Sequence, residues 1–222
     1  MNILPPTSEA ELLNRAYTLA GKTLGDIAKL NHKRVPTDLI HAKGWIGQVI
    51  EKTLGANASN LDQPDFINLG IELKTLPVTN QGFPCESTFI CAASIPCMDL
   101  KWENSRVWRK MAKILWVPIE SNSEKPLMAQ RIGTPLLWSP SQRIELQLKQ
   151  DWEELTELML LGKFDELSAL KGQYLQIRPK AANAKTFIQV IDNQGQQISV
   201  VPKGFYIRTL LTRQILEHHY CT

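Results

Sequence analysis

The stretch Pro64-Asp65-Phe66-Ile67-Asn68-Leu69-Gly70-Ile71-Glu72-Leu73-Lys74-Thr75-Leu76-Pro77 carries more information than any other in the chain. Ile71 to Leu76 alternates apolar and polar, the period of a half-buried strand ahead of Pro77. Residues two apart share a strand face, so Glu72 and Lys74 point one way and Ile71 and Leu73 point into a core. Asn68-Leu69-Gly70 reads as a turn, which lets Asp65 sit at the end of a neighbouring strand and reach the same spot. Two converging carboxylates can hold a hard cation such as Mg²⁺. A lysine beside them can orient a water or offset charge on a phosphate, and the set suits metal-assisted hydrolysis of a phosphodiester. A polar strand face with a surface Glu–Lys pair has the same local pattern.

Helices precede this stretch. Ser8 and Glu11 have capping-box spacing, and Leu12, Leu13, Ala16, Leu19 and Ala20 follow at helical intervals up to Gly21. A short second helix is expected over Thr23 to Leu30, and a third from about Gly44 to Leu54, stopping at Gly55. Glu51 lies beside the apolar stripe of that third helix. It is either a solvated residue or a further acid over the metal site.

Strands and helices alternate beyond it. Phe89 to Ile95 suits a central strand, Lys113 to Ile119 a buried one, and Arg131 to Trp138 a short one. Lys101 to Lys110 places four basic residues among tryptophans, either a DNA-facing helix or a solvated face over core tryptophans. Gln142 to Leu161 is the longest helical pattern. Leu146, Leu148, Trp152, Leu155, Leu158 and Met159 are assigned to its apolar side, and its acidic outer face should repel DNA. A smaller helix is expected from Lys163 to Leu170. The last third reads as β-rich: Gln173 to Arg178 breaking at Pro179, a hairpin from Phe187 to Val201, a short strand at Gly204 to Arg208, then a helix from Thr209 to His219. The basic run Arg178 to Lys185, with Asn183, reads as a loop that either contacts DNA or is simply solvated.

Composition sets outer bounds. The chain has 222 residues, 43% hydrophobic and 21% charged, enough for one large domain or two lobes. Its net charge of +3 tolerates a nucleic-acid partner without demanding one. Cys85, Cys91, Cys97 and Cys221 form no C-x-x-C pair, which argues against zinc. No secretory leader or membrane span is evident, so the sequence reads as cytoplasmic, with reduced thiols and no membrane partner.

Several motifs in one order are more specific than any of these signals. Lys43-Gly44-Trp45, Glu51, Pro64-Asp65-Phe66, Leu69 to Leu76, Lys101 to Ser105, Gln150 to Glu154, Leu175 to Asn183 and Gly204-Phe205-Tyr206 together resemble the MutH family of DNA mismatch-repair endonucleases. The resemblance covers nearly the whole chain. It implies a mixed α/β, restriction-endonuclease-like fold, a mixed β-sheet flanked by helices. It implies one domain over residues 1–222 with two lobes around a DNA cleft, catalytic acids in the N-terminal half and base-reading elements in the C-terminal half.

The resemblance also implies an activity. A monomer nicks the unmethylated strand of hemimethylated GATC, 5′ to the G, using Mg²⁺, which Mn²⁺ can replace, and is activated by MutL after MutS has found a mismatch. Asp65 and Glu72 match the family's metal-binding acids, Lys74 its catalytic lysine and Glu51 its helix glutamate. Lys43 matches a lysine near the scissile strand and Lys110 a further basic residue. Arg178 and Lys180 match the base-reading loop, and Tyr206 the tyrosine against the adenine whose methylation is checked. The rivals are a restriction enzyme that cuts both strands of GATC and a non-catalytic DNA-binding or MutL-docking module.

Overall fold

The computed structural model describes residues 3–37, 39–58, 62–93, 101–180 and 186–221, with only the backbone for 39–43. The chain is mixed α/β, as the resemblance implies. It divides into two compact units that interleave along the sequence. The first comprises residues 1–86, 112–139 and 215–222; the second comprises 87–111 and 140–214.

The first unit is built on three helices and a three-stranded sheet. α1 spans Glu9–Tyr17. Ser8 Oγ accepts from Glu11 N as its cap. The Glu11 carboxylate, however, turns outward to Thr7, accepting from Thr7 N at 2.7 Å and Thr7 Oγ1 at 2.8 Å. These bonds and Arg15 pull the Glu11 carboxyl down to about 2. The full capping box belongs to α2, Leu24–Leu30, where Thr23 and Asp26 bond reciprocally. α3 spans Leu39–Leu54, starting five residues earlier than the apolar stripe indicates.

β1 (Glu72–Val78) pairs parallel with β3 (Ile114–Glu120), which pairs antiparallel with β4 (Leu136–Trp138). The sheet is therefore mixed, and β3 is its buried centre. β1 does not stop at Pro77 but runs through it. As the edge strand it can spare the missing N–H. Parallel pairing needs a long crossover, and here the crossover contributes residues 87–111 to the second unit. Leu12, Leu24, Ile27, Ile50, Leu54, Phe66, Ile71, Leu73, Leu115 and Val117 close one core, each no more than 3% exposed. This is the core to which Ile71 and Leu73 were assigned.

In the second unit, β2 (Thr88–Ala93) and β5 (Leu175–Pro179) flank β8 (Lys203–Ile207) in an antiparallel sheet. The Phe89 strand is thus an edge rather than a centre. β6 (Ile188–Ile191) and β7 (Gln197–Val200) form the expected hairpin. α4 covers Arg106–Met111, α5 Gln142–Leu160 and α6 Thr209–Tyr220. The helix expected at Lys163 to Leu170 is a single 3₁₀ turn, Phe164–Glu166. Leu146 is 62% exposed, contrary to its assignment. The inward stripe of α5 runs through Leu148, Asp151, Trp152, Leu155, Leu158 and Met159, and Leu146 falls on the opposite side at 100° per residue.

Candidate functional site

Glu72 and Lys74 share one face of β1, and Lys74 Nζ donates to Glu72 Oε1 at 2.7 Å. Glu72 is 2% exposed and Lys74 half-buried, so this is not a solvated surface pair. Asp65 does not end a neighbouring strand. It sits in a bend, and the chain returns through the 3₁₀ turn Ile67–Leu69 and Gly70, closed by a single bridge between Phe66 and Ile71. From that bend Asp65 Oδ2 accepts from Leu73 N at 2.8 Å, on the residue between Glu72 and Lys74. Asn57 N and Ala58 N in turn donate to Asp65 O at 3.0 and 3.2 Å, fixing the bend.

Glu51 is half-buried on α3, which packs against β1. Its carboxylate lies back along its own helix, 3.5 Å from where a Cβ on Gly47 would stand. Among the described residues no group of three acid, histidine or cysteine side chains is placed to hold a metal ion. A donor set of two carboxylates still fits a Mg²⁺-type ion. Such ions are held by one or two carboxylates together with waters and substrate phosphate oxygens. Lys43 lies in the first turns of α3, and its side chain is outside the described residues.

The second unit carries the other candidates. Arg178 is exposed on β5, paired with Gly204 of β8, and its Nη1 donates to Ser87 Oγ at 2.7 Å. Its guanidinium stands over the Tyr206 ring, 5.6 Å from the centroid. Lys180 Nζ stands 4.6 Å from the centroid of Phe89, which meets Tyr206 edge-on at 5.3 Å. The four side chains form one basic-aromatic platform. Gly204 makes it possible, because a Cβ there would come within 2.7 Å of Phe89 Cε2. Asn183 and Lys185 lie outside the described residues. Lys110 is 8% exposed, so its ammonium is packed rather than displayed. Trp102, 2% exposed, stacks near Trp108 and Trp152 at 5.2 and 5.8 Å, so the Lys101 to Lys110 run covers core tryptophans.

Sequence reasoning assigned no individual role to Ser87, Phe89 or Asp151. Asp151 is 2% exposed, and its carboxylate accepts from Gln173 N, Tyr174 N and Leu175 N at 2.9, 2.6 and 2.8 Å, and from Gln147 Nε2 at 2.9 Å. It therefore anchors the start of β5. The signal was available, because residue 151 is in phase with the buried stripe of α5 and an acid there needs a partner. Ser87 and Phe89 left none, since strand pairing across a long sequence separation brings them to Arg178 and Tyr206.

An oxygen-donor pair with an adjoining ammonium group on a mixed α/β scaffold is the equipment of metal-assisted phosphodiester hydrolases. Comparison with known proteins narrows the class. Residues 54–151 match the family model described as the DNA mismatch repair enzyme MutH. Over 216 residues the chain is 48% identical to the DNA mismatch repair protein MutH of Vibrio campbellii, covering 97% of this chain and 96% of that one. It is 44% identical over 217 residues to the MutH protein of Yersinia enterocolitica, covering 97% and 95%. The chain belongs to the MutH family of DNA mismatch repair enzymes.

Proposed function

We propose that the chain is the methylation-sensitive endonuclease of methyl-directed mismatch repair. In this reading it nicks the unmethylated strand of hemimethylated GATC, 5′ to the G, in the cytoplasm, as a monomer activated by MutL after MutS has acted. The observation that carries it is the buried Glu72–Lys74 pair with Asp65 tied to the residue between them, in a member of this family. No helix among the described residues is long and apolar enough to cross a membrane.

Asp65 and Glu72 would hold the divalent cation, Mg²⁺ or in its place Mn²⁺. Bound there, the ion supplies Lewis-acid stabilisation of phosphate charge and a water of lowered pKa. Lys74, held 2.7 Å from Glu72, orients the attacking water or offsets charge on the phosphate. Glu51 on α3 and Lys43, eight residues earlier on the same helix, support the same site, and Lys110 acts from within its packed helix. Residues of the first unit cut, and Arg178, Lys180 and Tyr206 of the second unit read. Arg178 suits guanine, whose major-groove edge offers two acceptors to a guanidinium.

Tyr206 checks the adenine. A methyl on N6 takes up room and removes one donor hydrogen, so a site built on that amino group rejects the methylated strand. Tyr206→Ser should lower the preference for hemimethylated over fully methylated duplex by about tenfold, the worth of one good base contact. An unchanged ratio would remove Tyr206 from this role.

The function is tested with unmethylated, hemimethylated and fully methylated GATC plasmids in Mg²⁺, with and without MutL and ATP. Nicking of the unmethylated strand, stimulated by MutL, is expected, with fully methylated DNA resistant. Linearisation instead of nicking would identify a restriction enzyme. Absence of any cleavage would leave a docking module.

A further inference from the structure

Arg178 lies across the sheet of the second unit. It stands on β5 opposite Gly204 of β8, and β8 separates β5 from β2. Its guanidinium passes over the Tyr206 ring, 5.6 Å from the centroid, and Nη1 donates to Ser87 Oγ at 2.7 Å. Ser87 comes directly ahead of β2, whose first residue, Thr88, pairs with Ile207. One side chain therefore ties one edge strand to the chain that enters the other. Both ends of the bond, and the ring between them, belong to the second unit.

The kind of partner matters. Arg15 is matched to the Glu11 carboxylate and also donates to the carbonyls of Leu4 and Leu54. Arg131 donates to Gly21 O, and Arg208 to the carbonyls of Ala169, Lys171 and Gly172. Those arginines hold separate stretches of backbone together. Arg178 is exposed, and its hydrogen bond goes to a neutral hydroxyl. A carboxylate would offset the charge and engage the fork of N–H groups two at a time. A hydroxyl takes one hydrogen and leaves the charge and the remaining donors in place.

An exposed arginine otherwise samples many rotamers, and ordering such a side chain on binding costs affinity. Two contacts restrict this one. The Tyr206 ring holds the guanidinium against the sheet face, and the bond to Ser87 sets the direction of the fork. A guanidinium carries its N–H donors in one rigid plane, so fixing one directs the others. Guanine presents N7 and O6 together and takes two of those donors at once. A fork already oriented meets that edge without the ordering cost.

We propose that Ser87 is a positioning residue for base reading: its hydroxyl holds the Arg178 guanidinium over Tyr206 in the orientation that takes the guanine of GATC. The inference rests on the endonuclease reading above, in which Arg178 reads that guanine. Ser87 itself touches no base and acts through Arg178.

The test compares Ser87→Ala, Ser87→Thr and Arg178→Ala with the parent chain. Fluorescence anisotropy is read at one salt concentration on two labelled duplexes of equal length, one with hemimethylated GATC and one without the site. The ratio of the two affinities is the readout, because a general loss of phosphate contacts would weaken both duplexes alike. Ser87 is half-buried and small, so each variant should fold, and thermal melting checks this. Ser87→Ala should lower the preference for GATC roughly two- to tenfold, the worth of one long side chain ordered in advance. Ser87→Thr keeps the hydroxyl and should restore the preference. In an Arg178→Ala background, Ser87→Ala should change the ratio no further, which a purely structural role at the start of β2 would not reproduce. An unchanged ratio in Ser87→Ala, a loss that remains in Ser87→Thr, or a loss of equal size without Arg178 each overturns the proposal. If Arg178→Ala keeps the parental preference, or the parent shows none, the reading of Arg178 falls and this inference with it. If Arg178→Ala loses the preference while Ser87→Ala keeps it, the role of Ser87 alone is overturned.

Discussion

Glu72→Gln should abolish Mg²⁺-dependent nicking while leaving duplex binding in place. The substitution keeps the volume of a side chain that is only 2% exposed. It removes the charge that, in the proposed site, both helps hold the cation and anchors Lys74 at 2.7 Å. Loss of one preorganised electrostatic contact at a reacting centre costs roughly a hundred- to a thousandfold in rate. Here two functions rest on one carboxylate, so the upper end is expected. Glu72→Ala is a poorer test of chemistry. Breaking a buried ion pair by removing one partner costs roughly 3–5 kcal/mol, less here because Lys74 retains 17% exposure, and part of any lost activity would then be lost fold. Plasmid nicking read beside a thermal melt separates the two. A folded Glu72→Gln protein that nicks at the parental rate would remove Glu72 from the site.

The candidate site was legible because strand periodicity is a local property. Alternation over six residues was enough to place Glu72 and Lys74 together and Ile71 and Leu73 in the core, and the structure agrees on all four. Asp65 was placed near them for a partly wrong reason. No second strand carries it, and a bend with one backbone bond from Leu73 does the work. Continuation of β1 through Pro77 was hidden because an edge position is fixed by the partner strand, far along the chain. The start of α3 was missed because residues 39–43 do not extend the apolar stripe.

Pairings over long separations left the least trace. Phe89 meets Tyr206 across β2 and β8, and Ser87 meets Arg178, each about a hundred residues apart. Division into two units that interleave along the sequence could not be read from composition either, since no linker marks it. Family resemblance named Arg178, Lys180 and Tyr206 without saying that they share one platform. The physical cause of that platform is the register of β5 on β8, which sets Gln176 opposite Tyr206 and Arg178 opposite Gly204.

That register leads to the second large effect: Asp151→Ala should destabilise the second unit by about 3 kcal/mol or more. Three consecutive backbone N–H groups, on Gln173, Tyr174 and Leu175, donate to this one carboxylate. Each buried donor left without an acceptor costs about 1–3 kcal/mol, with partial relief where water can enter. The turn has little freedom to find another solution. Gly172 has φ +77°, and its Cα already stands so close to Leu175 O that a Cβ would overlap it at 2.0 Å. Arg208 closes the same turn from the other side, donating to the carbonyls of Ala169, Lys171 and Gly172. For a chain of this length 3 kcal/mol corresponds to a fall in melting temperature of roughly 6–12 °C. Asp151→Asn should fall between the two, since it keeps one acceptor oxygen but turns an NH₂ group toward the other amides. Hydrogen exchange should quicken first at Tyr174 and Leu175, and duplex affinity should weaken with it, because Arg178 lies three residues further along the same strand. A variant that melts within about 2 °C of the parent would show that water or a neighbouring oxygen replaces the carboxylate, and that β5 holds its register without Asp151.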